Sequence, residues 1–120
     1  MIWWKKENMA DTAKKREVLF YQDANGKEPF TDWLQSLRDT KARRRILKRL
    51  RLVEQGHFGD CKAVGGGVTE LRFFFGAGYR VYLGEASSEI VLLLTGGDKA
   101  SQSKDIKKAK AYWKEYKDNE

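Results

Sequence analysis

Apolar positions recur along this chain in two rhythms. Phe30, Trp33, Leu34 and Leu37 fall at i, i+3, i+4 and i+7, the spacing of one helical face. Pro29 suits the first turn of that helix, because its missing N–H has no intrahelical partner to lose. After Asp39-Thr40 the pattern restarts, with Ala42, Ile46, Leu50 and Val53 on one side and Leu47 beside them. This second helix runs to about Gln55, and Gly56 is placed to stop it. So short a break predicts two helices packed as a hairpin. A last helix is expected from about Ser101 to Lys117, with Ile106, Ala109, Trp113 and Tyr116 as its apolar stripe.

The other rhythm is that of strands. Val18-Leu19-Phe20-Tyr21 predicts a strand within Glu17–Gln22, closed by the turn residues Asp23-Ala24-Asn25-Gly26. Val68–Phe75 and Tyr79–Gly84 flank Gly76-Ala77-Gly78, read as a hairpin loop. Pairing Phe75 with Tyr79 sets Phe74 opposite Arg80 and Arg72 opposite Tyr82. Leu71, Phe73 and Phe75 then share a face with Tyr79, Val81 and Leu83, while Glu70, Arg72, Phe74, Arg80 and Tyr82 lie on the other. Glu89–Thr95 is a near-continuous apolar run that suits a strand covered by its neighbours, ended by Gly96-Gly97. Residues 56–67, rich in glycine, read as a loop. The expected order is β-α-α-β-β-β-α: an α+β domain with its helices packed mostly on one face of the sheet. The charged-aromatic face would stay open.

A length of 120 residues allows one compact domain, placed at residues 17–120. Residues 1–16 read as a basic tail carrying Ile2, Trp3, Trp4 and Met9, with Met9 a second candidate start. Twenty-four Lys and Arg against 17 Asp and Glu leave a net charge of +7, which favours polyanionic partners. The single cysteine, Cys61, cannot form an intrachain disulfide and fits a reducing compartment. No apolar run is long enough to span a bilayer, and the N-terminus lacks a signal-peptide core. A cytoplasmic protein without a membrane partner is expected.

Three features carry candidate chemistry. On the charged-aromatic sheet face, Arg72 and Arg80 can grip phosphate oxygens through paired N–H donors. Tyr82 and Phe74 offer rings for a base to stack on. RNA cleavage by its own 2′-OH needs a base, a charge stabiliser and an acid. Arg72, Arg80 and Lys99 suit the second role, Glu70 or a lysine the first, and Tyr82 the last; cross-strand pairing of Glu70 and Arg72 explains the face equally well. Next, Gly96-Gly97-Asp98-Lys99-Ala100-Ser101 joins a strand to a helix but lacks phosphate-loop spacing, so nucleotide hydrolysis is excluded. A tight turn with an N-cap serine accounts for it. Finally, seven cations stand between Lys41 and Arg51 with no acid among them. Arg44, Lys48 and Arg51 there, with Lys62 and Lys104 elsewhere, are the expected RNA contacts, largely blind to sequence. No cluster of His, Cys, Asp and Glu has metal-ligand spacing, so the expected site needs no metal and no cofactor. His57, alone in a glycine loop, is read as incidental.

Taken in order, the motifs resemble a known family. Gly59-Asp60-Cys61-Lys62-Ala63-Val64-Gly65-Gly66-Gly67-Val68-Thr69-Glu70-Leu71-Arg72, Gly78-Tyr79-Arg80-Val81-Tyr82 and Leu93-Leu94-Thr95-Gly96-Gly97-Asp98-Lys99-Ala100-Ser101-Gln102 are similar to signatures of the RelE/ParE toxin superfamily, in its HigB-like addiction-module-killer branch. The likeness covers about residues 17–116. It implies a RelE-like twisted, mostly antiparallel small sheet and a type II toxin-antitoxin toxin. Many relatives are ribosome-dependent mRNA interferases, held inactive by a helix-turn-helix, HigA-like antitoxin through which alone they reach operator DNA. The ribosome and mRNA are the implied targets. By motif position Arg80, Arg72 and Lys99 match the family's site cations, while Glu70 stands where several members carry lysine. A ParE-like DNA gyrase inhibitor and a non-catalytic antitoxin-binding module are the alternatives.

Overall fold

The computed structural model describes residues 13–120. It is an α+β fold of five strands and three helices. These are β1 (Glu17–Phe20), α1 (Pro29–Ser36), α2 (Thr40–Glu54), β2 (Cys61–Gly65), β3 (Val68–Arg72), β4 (Arg80–Glu85), β5 (Ile90–Gly97) and α3 (Gln102–Asp118). The strands form one sheet in the order β1-β5-β4-β3-β2. β1 runs parallel to β5, and the remaining neighbours are antiparallel.

The helices form where the sequence predicts them. Asp39 caps α2, its carboxylate accepting from the Lys41 and Ala42 amides at 2.9 and 3.2 Å. Ala42, Ile46, Leu50 and Val53 are its buried row.

The sheet has two cores. Phe30, Ile46, Leu50 and Val53 from α1 and α2 pack on Leu71, Phe73, Val81, Leu83, Val91 and Leu93. On the opposite face, Ala109 and Trp113 from α3 pack on Tyr21, Val68, Tyr82, Leu92 and Leu94. This corrects the expectation that the helices share one face. The reason lies in β5, where alternate residues of one apolar run feed each core, so both faces need cover. The face expected to stay open thus carries a helix.

The stretch read as a loop also contains a strand. Cys61, Lys62 and Ala63 pair with Leu71, Glu70 and Thr69, and the register then shifts so that Gly65 pairs with Val68. β2 is an edge strand whose residues are mostly exposed, so it shows no alternation to read. The β3–β4 hairpin is displaced from its expected register by two residues. Arg72 faces Arg80 and Glu70 faces Tyr82. The connection is longer than three residues: the Phe73 amide donates to the Tyr79 carbonyl at 3.0 Å, and that of Gly78 to Phe75 at 3.1 Å. An even shift preserves which side chains share a face.

Several joints rest on close approach. A Cβ at Gly96 would collide with the Trp33 indole, and one at Gly84 with that of Trp113. Arg49 is a strut rather than a free cation. Its guanidinium donates to the carbonyls of Arg72, Asp60 and Phe58 and lies over the Phe73 ring, 4.6 Å from its centroid. Part of the expected tail belongs to the fold. The Arg16 amide donates to the Glu54 carbonyl at 2.7 Å, and its Nη1 pairs with Glu85 Oε1 at 2.8 Å. Ile2, Trp3, Trp4 and Met9 lie outside the described residues. No described helix is long and apolar enough to cross a membrane.

Candidate functional site

The site grows out of the row Lys62, Glu70, Tyr82 and Thr95, which stand side by side across β2, β3, β4 and β5. Glu70 and Tyr82 are 1% and 0% exposed. The Tyr82 hydroxyl donates to Glu70 Oε2 at 3.0 Å, and Gln102 Nε2 of α3 donates to the same oxygen at 2.9 Å. Arg80 Nε lies 3.8 Å from Glu70 Oε1. A buried carboxylate persists only when hydrogen-bonded and paired, and here three neighbours share that task. Burial, and then the adjacent Glu70 charge, push the Tyr82 hydroxyl well above the usual phenol range.

This arrangement changes two expected roles. Tyr82 has no exposed ring for a base to stack on, and its proton is committed to Glu70. Glu70 lies beneath α3, holding Tyr82, Gln102 and Arg80. Phe74, in contrast, is 78% exposed and is the ring this region offers to a ligand. The Arg72 guanidinium lies 6.0 Å from its centroid.

The cations gather at the loop end of the β3–β4 hairpin. Arg72 and Arg80 are direct cross-strand partners, an arrangement that costs energy unless each has an acid. Arg72 Nη2 pairs with Asp60 Oδ1 at 3.3 Å, and Arg80 with Glu70. Arg80 Nη1 also donates to the Gly78 carbonyl at 3.1 Å. The Nε atoms of both arginines are buried without a hydrogen-bond partner. Lys99 reaches this place through its backbone, its amide donating to the Ala77 carbonyl at 3.3 Å. A methyl group built on Gly78 would lie 3.3 Å from Lys99 Cβ and 3.8 Å from Arg80 Nη1. The loop tip therefore separates Lys99 from Arg80 by the width of one glycine. Lys99 and Phe74 are exposed here and Arg72 is half-buried, whereas Arg80 is 8% exposed and turned toward Glu70.

Gly96-Gly97 and the start of α3 do not form an anion cradle. The protein's own carboxylates occupy that end: Asp98 Oδ1 accepts from the Ser101 amide at 3.1 Å, and the Ser101 hydroxyl donates to Asp105 Oδ2. A Cβ at Gly97 would strike Asp105.

The expected RNA contacts fall on two sides. Arg44, Lys48 and Arg51 are exposed on α2, over the first core, whereas exposed Lys104 is on α3, over the second. Lys62 is exposed on the β2 edge. Gln102 was not singled out as a site residue by sequence reasoning, although a signal exists. It lies four, seven and eleven positions before Ile106, Ala109 and Trp113, a polar residue on an apolar stripe.

Comparison with known proteins places the chain in a family. It is 47% identical over 81 residues to an uncharacterized protein of Haemophilus influenzae, a match covering 68% of this chain and 82% of that protein. The chain belongs to the family of that protein. No protein-family model matches it.

Proposed function

We propose that this protein is a RelE-like toxin of a type II toxin-antitoxin system, an endoribonuclease that cuts mRNA on the ribosome and is neutralised by a cognate antitoxin. The observation that carries the reading is the meeting of Arg80, Arg72 and Lys99 at one hairpin end beside exposed Phe74. Cations there neutralise the charge of a phosphorane, and Phe74 stacks a base of a single-stranded message. In this reading Glu70 and Tyr82 hold Arg80, and the proton transfers fall to groups at the surface, with Lys99 the nearest base by position.

The burial of Tyr82 and Glu70 favours a second reading, because it removes two proton-transfer groups from the surface. A ParE-like gyrase inhibitor or an antitoxin-binding module needs neither. The deciding experiment maps mRNA 5′ ends by primer extension after induction of the chain in bacterial cells, with Arg80→Ala as control. New ends in register with codons, absent from the control, support the nuclease. Growth arrest without them points to gyrase, and no arrest points to the binding module. Full toxicity of Arg80→Ala removes Arg80 from the site.

A further inference from the structure

We propose that the hollow between the β2–β3 turn and the second half of α3 is an oxyanion site that takes a phosphate group. The inference stands apart from the cleavage reading. The turn lies at one end of β3 and the hairpin cations lie at the other, so either reading can fail alone.

The hollow measures about 350 Å³ and is lined by Gly66, Lys110, Trp113, Lys114, Lys117 and Asp118. Gly66 and Gly67 both have positive φ, as a tight two-residue turn between β2 and β3 requires. The turn carries no side chains, so α3 lies close against it. A Cβ built on Gly67 would lie 2.5 Å from Trp113 Nε1, and one built on Gly65 would lie 3.2 Å from Lys110 Nζ. An indole N–H and an ammonium group thus meet at the same turn.

Trp113 is only 5% exposed, and a buried indole N–H ordinarily finds an acceptor. Here it donates to no group among the described residues, and it is not sealed from the hollow. Packing does not account for the nitrogen, because the indole rests on Gly84 through its benzo ring. Lys117 Nζ stands 5.8 Å from the Trp113 ring centroid, so a second ammonium group borders the same indole.

The charge left over is positive. Lys114 pairs with Asp118 at 3.7 Å, which leaves Lys110 and Lys117 without an acid among the described residues. Lys117 stands in the last turn of α3, where it complements the helix dipole. Lys110 stands two turns earlier, where that dipole has faded, and it is half-buried. A half-buried cation beside an unused N–H donor fits an anion. Phosphate suits the seat better than carboxylate does. Lys110, Lys117 and the indole are three separate donors, and a phosphate offers an oxygen to each, whereas a carboxylate has only two.

The test follows the Trp113 indole N–H resonance in the nitrogen-labelled full chain, assigned by its loss in Trp113→Phe. Inorganic phosphate is titrated at constant ionic strength set with chloride, and acetate is titrated in parallel. The expected result is a saturable shift with phosphate and none with chloride. Lys110→Gln and Lys117→Gln should each bind phosphate about tenfold more weakly, the worth of one charge-assisted bond. An equal response to acetate, or a shift that follows ionic strength alone, overturns the proposal. So does unchanged affinity in the lysine variants when their spectra are otherwise native. Two further ligands identify the source of the phosphate. A nucleoside 5′-monophosphate that binds more tightly than an RNA oligonucleotide without terminal phosphates assigns the site to a free small molecule. The reverse order assigns it to the backbone of an RNA chain.

Discussion

The Tyr82 hydroxyl and Glu70 Oε2 are bonded at 3.0 Å between neighbouring strands, beneath a helix that seals both from solvent. The same oxygen accepts from Gln102, so one carboxylate joins β3, β4 and α3. Removing it leaves a tyrosine hydroxyl and an amide without their acceptor and the Arg80 guanidinium without its counter-charge. Glu70→Ala is expected to destabilise the fold by about 3–5 kcal/mol, the range for breaking a buried ion pair on one side. Glu70→Gln keeps a neutral acceptor and should cost about 1–3 kcal/mol. Urea unfolding of both variants checks the order, and equal losses would show that the charge itself contributes nothing.

Tyr82 also sets an alkaline limit. Its hydroxyl is held protonated in the folded state, by burial first and by Glu70 second, relative to the ordinary value of 10.0. Tyr21 and Tyr112 are shifted in the same direction, chiefly by burial. Above about pH 10 the unfolded chain loses these protons and the folded one keeps them, so unfolding is increasingly favoured as pH rises. Tyr82 and Tyr21 each lower stability by up to about 1.4 kcal/mol per pH unit in that window and leave it unchanged below it. Tyr82→Phe should therefore show a shallower fall in stability between about pH 10 and pH 12 than wild type. Parallel curves would mean that Tyr82 ionises in the folded protein.

Arg49 is expected to behave as a core residue despite its charge. It binds three carbonyls, one from β3 and two from the loop before β2, and desolvation by burial lowers its pKa. Arg49→Lys retains the charge but not the planar fork, so it should recover little of the roughly 2–4 kcal/mol lost in Arg49→Ala. Neighbouring Arg44, which is exposed, should tolerate alanine within about 0.5 kcal/mol. Thermal melts of the three variants separate strut from surface cation.

Two strand glycines are beds for indole rings. Gly84→Ala and Gly96→Ala each force a methyl group into Trp113 or Trp33, and each should cost about 1–3 kcal/mol by overpacking. The effect is not one of backbone conformation, since neither glycine has a positive φ. Gly96→Ala combined with Trp33→Leu should cost less than the sum of the single changes, a coupling that a double-mutant cycle reads directly.

If the cations at the hairpin end act on RNA, exposure divides their neighbours. Arg80→Ala and Lys99→Ala should each lower the yield of new mRNA ends by about 100-fold or more, the usual scale for charge-stabilising groups. Phe74→Ala should lower it by about tenfold, the worth of one stacked base. Tyr82→Phe should stay within about tenfold of wild type, because a buried hydroxyl is not the acid. Loss of cleavage in folded Tyr82→Phe would return the tyrosine to the reaction.

The helices were legible in the sequence because their signals are local. The Phe30–Leu37 and Ala42–Val53 periodicities, the Asp39 cap and the stripe Ile106, Ala109, Trp113 each lie within a few turns of one segment. Which strand residues share a face was legible too, because alternation survives an even register error. Three matters waited for the tertiary structure. β2 carries no alternation, so only its pairing with β3 makes Cys61–Gly65 a strand. α3 crosses to the face opposite α1 and α2, and this buries Glu70 and Tyr82, which pattern alone leaves on an open charged face. Lys99 comes beside Arg80 only because the β5–α3 turn bonds the β3–β4 loop. Local periodicity determines which segments become helices and which side of each is apolar. The solvent exposure of a charged side chain depends on what packs over it from afar, and here a helix more than 15 residues away in the chain makes that difference.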